Sequence, residues 1–130
     1  MAKRAEDSNV FILSKQLREN LYNLMFNMSK ANRVLFGSHV LDNAEALLRN
    51  VCLAFNKTEN KSYYLEEAIS YFCVLRADIE FFHKNNMIHF EGKKNERTQM
   101  YSEQTEIYRK LGEIDLNLTR WLQSLKNQHS

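Results

Sequence analysis

The sequence predicts an all-α fold, a single up-down-up-down antiparallel four-helix bundle formed by one domain of residues 1–130. Three observations support this prediction. The 130 residues include no proline and three glycines, so few positions favour turns or break helices. Apolar residues recur at steps of three and four in four segments, which places them on one face of a helix. Polar stretches separate these segments, and a chain of this length usually forms one domain.

The first helix is expected at about residues 8–32, with Ser8 as its N-cap. Its inner stripe consists of Val10, Leu13, Leu17, Leu21, Leu24, Met28 and Ala31. The segment NRVLFGSHV then interrupts the pattern, and Gly37 suits a tight connection or the first turn of the next helix. The second helix is expected at about residues 37–57, with an inner stripe of Leu41, Ala44, Leu48, Val51 and Phe55.

The third helix is expected at about residues 61–85, after the polar loop NKTENKS, with Asn60 or Ser62 as a candidate cap. Its inner stripe is Leu65, Ala68, Phe72, Leu75, Ile79 and Phe82. A further connection follows, in which Met87, Ile88 and Phe90 are expected to pack against the bundle. The fourth helix is expected at about residues 95–126. Its apolar positions follow a 3.5-residue repeat, typical of near-parallel helix packing: Met100, Ile107, Leu111, Ile114, Leu118, Trp121 and Leu125.

A second set of apolar residues lies outside these inner stripes and needs another surface to cover it. On the third helix it consists of Tyr64, Tyr71, Val74 and Phe81, with Ile69 and Cys73 on the opposite flank. On the outer face of the first helix it consists of Phe11, Tyr22 and Phe26. We expect seven of these residues to contact a subunit or another partner: Phe11, Tyr22, Phe26, Tyr64, Tyr71, Val74 and Phe81. The alternative is that they are half-buried against neighbouring helices of the same chain.

The net charge of +2 gives no general reason to expect nucleic-acid binding, so that function depends on how charge is distributed over faces. Basic residues interleave with aromatic ones on the outer face of the first helix, a combination that can neutralise phosphates and stack on bases. The candidate nucleic-acid-binding residues are Lys15, Arg18, Arg33, Arg76, Arg109 and Arg120. The alternative is an ordinary solvated helix surface.

No metal motif, phosphate-binding glycine loop or catalytic triad pattern occurs, so we expect no cofactor and favour a non-enzymatic binding role. Cys52 and Cys73 lack zinc-site spacing and lie in apolar helical patterns, which favours buried thiols in a reducing compartment. We expect a cytoplasmic protein with no membrane partner, because no signal peptide or apolar span of ~20 residues is present.

One pair of residues suggests an enzymatic alternative. The segment RADIEFFH places Arg76 and His83 seven residues apart, two turns along one helix edge. This spacing resembles the Arg-six-His motif of HEPN ribonucleases, which are small all-α proteins. The resemblance implies a dimer that cleaves RNA with this pair.

Several segments taken in order resemble a known family: LYNLMF, RVLFG, YYLEEA, VLR and LGEIDLNLTRWLQSLK. Over roughly residues 10–126 the chain resembles the accessory variability determinant of diversity-generating retroelements. The wider four-helix-bundle family includes proteins encoded in intervening sequences of ribosomal RNA genes. The resemblance implies a homopentamer that binds RNA or DNA and a reverse transcriptase, and so supports mutagenic cDNA synthesis.

The chain differs from the family pattern on its third and fourth helices, where the segment DLNLTRW also lacks two glycines that often precede the tryptophan in the family. Glu80 stands where the family often has a second arginine, and Asp115 and Leu116 stand in place of a glycine and an arginine. The resemblance therefore implies a less basic surface than is usual for the family. A third hypothesis follows, in which the chain is a protein interaction module that binds no nucleic acid.

Overall fold

A computed structural model describes residues 8–56, 59–85, 87 and 94–128. In the last helix it describes the side chains of residues 106–127. Four long helices account for most of this part of the chain: α1 (Asn9–Met25), α2 (Ser38–Asn56), α3 (Lys61–Lys84) and α4 (Lys94–Gln128). The described residues include no strand. The predicted all-α class with four helices is thus confirmed.

Helix α1 begins as predicted and ends earlier than predicted. The Ser8 hydroxyl accepts a hydrogen bond of 3.0 Å from the amide of Phe11, which caps the helix. The helix ends at Met25, and the chain makes tighter turns through residues 26–28, whose amides bond carbonyls three residues back. The prediction that the helix continues to Asn32 is therefore wrong.

A new helical turn, Lys30–Asn32, follows this connection. Its cap is Ser29, whose hydroxyl accepts a hydrogen bond of 3.2 Å from the amide of Asn32. This bond favours a new helix start over continuation of α1, because the serine hydroxyl accepts the hydrogen bond that the Asn32 amide would otherwise donate to a backbone carbonyl. Ala31 is exposed here, so its assignment to the inner stripe is wrong.

A π-helical segment, Arg33–Gly37, joins this turn directly to α2. The stretch NRVLFGSHV interrupts the apolar pattern as predicted, but its backbone is helical, and Gly37 lies directly before the first turn of α2 and not in a tight non-helical connection. A π-helix bonds residues five apart, so the 3.6-residue apolar periodicity fails over this segment although the backbone stays helical. Gly37 has no positive φ, and a Cβ there would lie 3.5 Å from Cγ of Arg33, which is ordinary contact.

A lysine at the start of α3 binds the carbonyl groups at the end of α2. Nζ of Lys61 donates to the carbonyl of Ala54 at 2.8 Å and to that of Phe55 at 3.5 Å. A cation is favourable there because carbonyl groups at a helix C-terminus carry partial negative charge. Asn60 occupies the N-cap position of α3 in the left-handed conformation (φ 64°), and its side chain makes no capping bond.

The inner stripes of the four helices form one core. All six predicted residues of α3 are buried, as are Ile107, Leu111, Ile114, Leu118 and Leu125 of α4. Phe55 and Trp121 are partly buried, with ring centroids 4.3 Å apart. Met87 is buried as predicted, whereas Ile88, Phe90 and the side chain of Met100 lie outside the described residues.

The cysteines differ from each other in exposure. Cys52 of α2 is partly buried, and Cys73 of α3 is exposed. The prediction of a buried thiol is therefore wrong for Cys73. Its neighbour Phe72 fills the core-facing position, and the next residue of a helix points about 100° away from it.

Polar contacts join each helix to its neighbours. Arg18 of α1 pairs with Glu45 of α2 at 2.6 Å, and Lys110 of α4 donates to Oδ1 of Asn20 of α1 at 2.5 Å. Between α2 and α3, Nε2 of His39 lies 3.8 Å from a carboxylate oxygen of Asp78. Between α3 and α4, Arg76 donates to Asp115 at 3.2 Å, and His83 shares a hydrogen bond of 3.2 Å with the Tyr108 hydroxyl.

Among the described helices, none is long and apolar enough to cross a membrane.

Candidate protein-binding surface

Large apolar side chains are exposed around the connection between α1 and α2. Val34 is 72% exposed and Leu35 is 69% exposed, both in the π-helical segment, while Phe26 and Tyr22 at the end of α1 are 56% and 53% exposed. Scattered exposed apolar residues are normal, but four at one connection form a patch typical of interaction sites. We call Tyr22, Phe26, Val34 and Leu35 the connection patch.

The aromatic members of the connection patch are held in defined positions. The rings of Tyr22 and Phe26 meet edge to face with centroids 5.0 Å apart. The guanidinium of Arg33 lies 5.5 Å from the centroid of Phe26, within range of a cation–π contact. Arg33 also donates to the carbonyl of Met28 at 3.4 Å. These contacts fix a rigid aromatic surface with a cation at its edge.

A groove between α1 and α2 adjoins the connection patch. It is a cavity of about 560 Å³, lined by Arg18, Glu19, Tyr22, Asn23, Leu41, Asp42 and Glu45. Three carboxylates and one guanidinium give this lining a formal charge of −2. Arg18 is already paired with Glu45, and neither Glu19 nor Asp42 forms an ion pair with another described residue. The groove therefore favours a cationic group over a phosphate.

The predicted interface residues separate into two groups. Phe11, Tyr64 and Tyr71 are partly buried and pack against the core of their own chain. Tyr22, Phe26, Val74 and Phe81 are exposed. Phe81 lies near the π-helical segment, with its ring centroid 6.1 Å from that of Phe36. Only the exposed group offers substantial apolar area to a partner.

Three of the six candidate nucleic-acid-binding residues are engaged by carboxylates. Besides the pair of Arg18 with Glu45, Arg76 pairs with Asp115 and lies 5.4 Å from the ring centroid of Phe72. These pairs lower the positive potential that the arginines present to a phosphate.

Arg109 is held by two carboxylates of its own helix. It bonds Glu106 at 2.8 Å and Glu113 at 2.5 Å. The hydrogen bond from Arg109 lowers the pKa of Glu106, and the bonds to Glu106 and Glu113 raise the pKa of Arg109. The guanidinium therefore stays charged, and its neighbours carry more negative charge than it neutralises.

The other three candidates, Lys15, Arg33 and Arg120, form no ion pair within the part of the chain described. All three are exposed. Arg120 lines a shallow polar groove with Gln123, Ser124 and Asn127 near the end of α4. Lys15 lies in the middle of α1, Arg33 in the π-helical segment and Arg120 near the end of α4, and the described contacts join none of them to another.

Arg76 and His83, the pair considered for RNA cleavage, both contact α4. Arg76 bonds Asp115, whereas His83 bonds the Tyr108 hydroxyl, with ring centroids 5.9 Å apart. Burial, and secondly the charge of Glu80, raises the pKa of Tyr108, which therefore stays a neutral phenol near pH 7. Among the described contacts none joins Arg76 to His83, and cleavage of RNA by this pair stays a prediction.

The most exposed residues of the site, Val34 and Leu35, were not among the predicted interface residues. The sequence carries a signal for them, since two adjacent apolar residues fit none of the four inner stripes. Glu19 and Asp42 carry no such signal, because acidic residues on outer helix faces are common. Their proximity follows from the packing of α1 against α2.

The described side chains include no group of three or more His, Cys, Asp or Glu residues placed to hold a metal ion. No protein family, curated protein or solved structure matches this chain.

Proposed function

We propose that this protein is a non-enzymatic accessory protein that holds another protein chain on the connection patch. The observation that carries the proposal is the exposure of Val34 and Leu35 together with that of the paired rings of Tyr22 and Phe26, all around one connection. Apolar and aromatic residues of this kind form the energetic centres of protein interfaces. In the retroelement interpretation, the bound chain is another subunit or the reverse transcriptase.

We infer an up-down-up-down antiparallel arrangement of the four helices as the scaffold. Contacts between consecutive helices support it, because residues later in one helix contact residues earlier in the next, as in an antiparallel pair. His39 of α2 contacts Asp78 of α3, and Phe36 of the π-helical segment that leads into α2 contacts Phe82 of α3. Between α3 and α4 the contacts are Arg76 with Asp115 and His83 with Tyr108. This arrangement brings the end of α3 beside the α1–α2 connection.

A π-helical segment beside the patch supports the same proposal. Such segments are rare and are frequently found at functional sites, because they disturb the regular hydrogen bonding of a helix. Here the segment carries both Val34 and Leu35. A regular helix would place these residues in different directions relative to α2.

Site-specific photocrosslinking tests the proposal. Benzoylphenylalanine in place of Leu35 is expected to give a covalent adduct with a protein in cells that express the full chain. The matched control carries the same group in place of Leu116, an exposed leucine of α4 outside the connection patch. Equal adducts at both positions, or no adduct at position 35, would refute the assignment of this surface.

Nucleic-acid binding is the second candidate function, and it is favoured because Lys15 and Arg120 have no carboxylate partner among the described residues. We propose that RNA or DNA would contact these two residues more strongly than Arg18, Arg76 or Arg109. Anisotropy of a labelled structured RNA at low salt tests this. Lys15→Glu with Arg120→Glu should weaken binding and flatten its salt dependence, while Arg18→Gln changes it little. An affinity unchanged by the double substitution would refute this assignment.

A further inference from the structure

The surface near the α1–α2 connection carries opposite charges at its two ends. At one end lies the acidic groove, with Glu19 and Asp42 unpaired among the described residues. At the other end lies Arg33, whose guanidinium makes one hydrogen bond within the described part of the chain, a long one of 3.4 Å to a backbone carbonyl. Tyr22 lines the groove and touches Phe26, and Phe26 lies beneath Arg33. Acidic, aromatic and basic groups therefore follow one another in a continuous strip.

Such a strip is complementary to a reversed copy of itself. In a two-fold symmetric contact each pairing of one residue with another occurs twice, once in each direction. Reversal about the central rings places aromatic against aromatic and basic against acidic groups. The acidic end of the strip lies close to the central rings, because Glu19 and Phe26 are about 10 Å apart along the helical backbone at ~1.5 Å per residue.

We propose that a second copy of this chain packs on the strip, with a two-fold axis near Tyr22 and Phe26 and with Arg33 of each copy in the acidic groove of the other. This inference rests on the proposed function and names its partner. The guanidinium completes a groove that one copy leaves with a formal charge of −2. It brings free donors to Glu19 and Asp42, since an arginine fork can bond carboxylates at two points.

Charge complementarity favours a protein occupant over nucleic acid. A phosphate backbone laid along the strip would meet Arg33 and then the three carboxylates of the groove, which repel it. A second copy meets favourable charges at both ends. The fixed rings at the centre supply apolar area with little loss of side-chain freedom.

Charge exchange tests the proposal in the full-length protein. Light scattering over a concentration series is expected to give twice the monomer mass for the unmodified chain. Arg33→Glu should raise the dissociation constant of the dimer by about tenfold or more, and so should Glu19→Lys with Asp42→Lys, because each change sets like charges against each other. The matched control is Arg49→Glu, an exposed arginine of α2 outside the strip, which should leave the mass unchanged.

Mixing the two variants gives the decisive result. In a mixed dimer the new glutamate at position 33 faces the new lysines, and the original Arg33 faces the original carboxylates. Both contacts are then attractive, so the mixture should regain the dimer affinity that each variant alone has lost. Circular dichroism of each variant checks that its helices are intact, and recovery in the mixture excludes misfolding as the cause of the loss.

Three outcomes would overturn the proposal. These are a monomeric unmodified chain, a dimer that the substitutions leave intact, and a mixture that stays monomeric. A five-subunit particle would also overturn it, because an odd ring cannot be built from two-fold contacts of this kind. A monomer that still crosslinks through position 35 to a different protein would preserve the proposed function and refute the second copy as its partner.

Discussion

Replacement of Asn20 by alanine tests how α4 is held against α1. Lys110 is only 8% exposed, and its Nζ donates to Oδ1 of Asn20 at 2.5 Å. The substitution Asn20→Ala removes this acceptor and leaves an ammonium group in a buried position. We expect the free energy of unfolding to fall.

The magnitude follows from the charge and the exposure of the two partners. Hydrogen bonds to charged groups contribute about 1.5–3 kcal/mol, and loss of one partner leaves the other without compensation for its desolvation. Because Asn20 is itself partly exposed, water can approach the vacated site, so we expect the free energy of unfolding to fall by about 2 kcal/mol. Asn23→Ala on the same helix is the control, since it makes the same change of helix propensity at an exposed position.

Urea unfolding followed by circular dichroism measures the effect. The double variant Asn20→Leu with Lys110→Met should recover much of the loss, because removal of both partners leaves no unpaired buried group. The reasoning is refuted if Asn20→Ala is no less stable than Asn23→Ala. It is also refuted if the double variant is as unstable as Asn20→Ala with Lys110 retained.

Three further predictions concern stability. Phe72→Ala should cost about 3–5 kcal/mol because the ring is fully buried, whereas Cys73→Ala beside it should change stability by about 0.5 kcal/mol or less. Gly112→Ala should stabilise α4 by about 0.5–1 kcal/mol, since an added Cβ meets nothing within 4 Å. Burial raises the pKa of Asp78, and the charge of His39 lowers it by a smaller amount. The folded protein therefore holds the Asp78 proton more tightly than the unfolded chain, so the contribution of Asp78 to the free energy of unfolding is full below pH 3.8 and is lost as pH rises through the raised pKa. Asp78→Asn should remove that loss.

Urea titrations check all three predictions, with a series from pH 3 upward for Asp78→Asn. Equal losses from Phe72→Ala and Cys73→Ala would contradict the assigned burial. A destabilising Gly112→Ala would mean that the position is covered in the folded protein. For the Asp78→Asn variant, a pH profile that parallels the unmodified chain over this range would show that the carboxyl does not titrate abnormally.

Periodicity was sufficient to predict the helices and most of the core. The inner stripe of α3 is buried as predicted, and so are the described residues of the α4 stripe except Trp121, which is partly buried. The reason is that a 3.6-residue spacing places residues such as Leu65 or Ile114 on one face of any long helix. The cap at Ser8 was also predictable, since it depends on an amide only three residues away. Such features depend on short-range geometry that the order of residues already contains.

The end of α1 was mispredicted for a reason that is also local. Ser29 starts a new helical turn within an apparently continuous pattern, and the π-helical segment shifts the register of the apolar residues. A single periodic template cannot represent either change. The exposure of Val34 and Leu35 follows from this shifted register.

The charges of the surface depend on residues far apart in the sequence. Arg18 faces Glu45, and Arg76 faces Asp115, only because α1 packs on α2 and α3 packs on α4. A sequence shows that an arginine is basic and on an outer face, but its potential depends on which carboxylate the packing brings within a few ångströms. The four-helix class could therefore be predicted from residue spacing, whereas the acidic groove beside Tyr22 arises only when two helices meet.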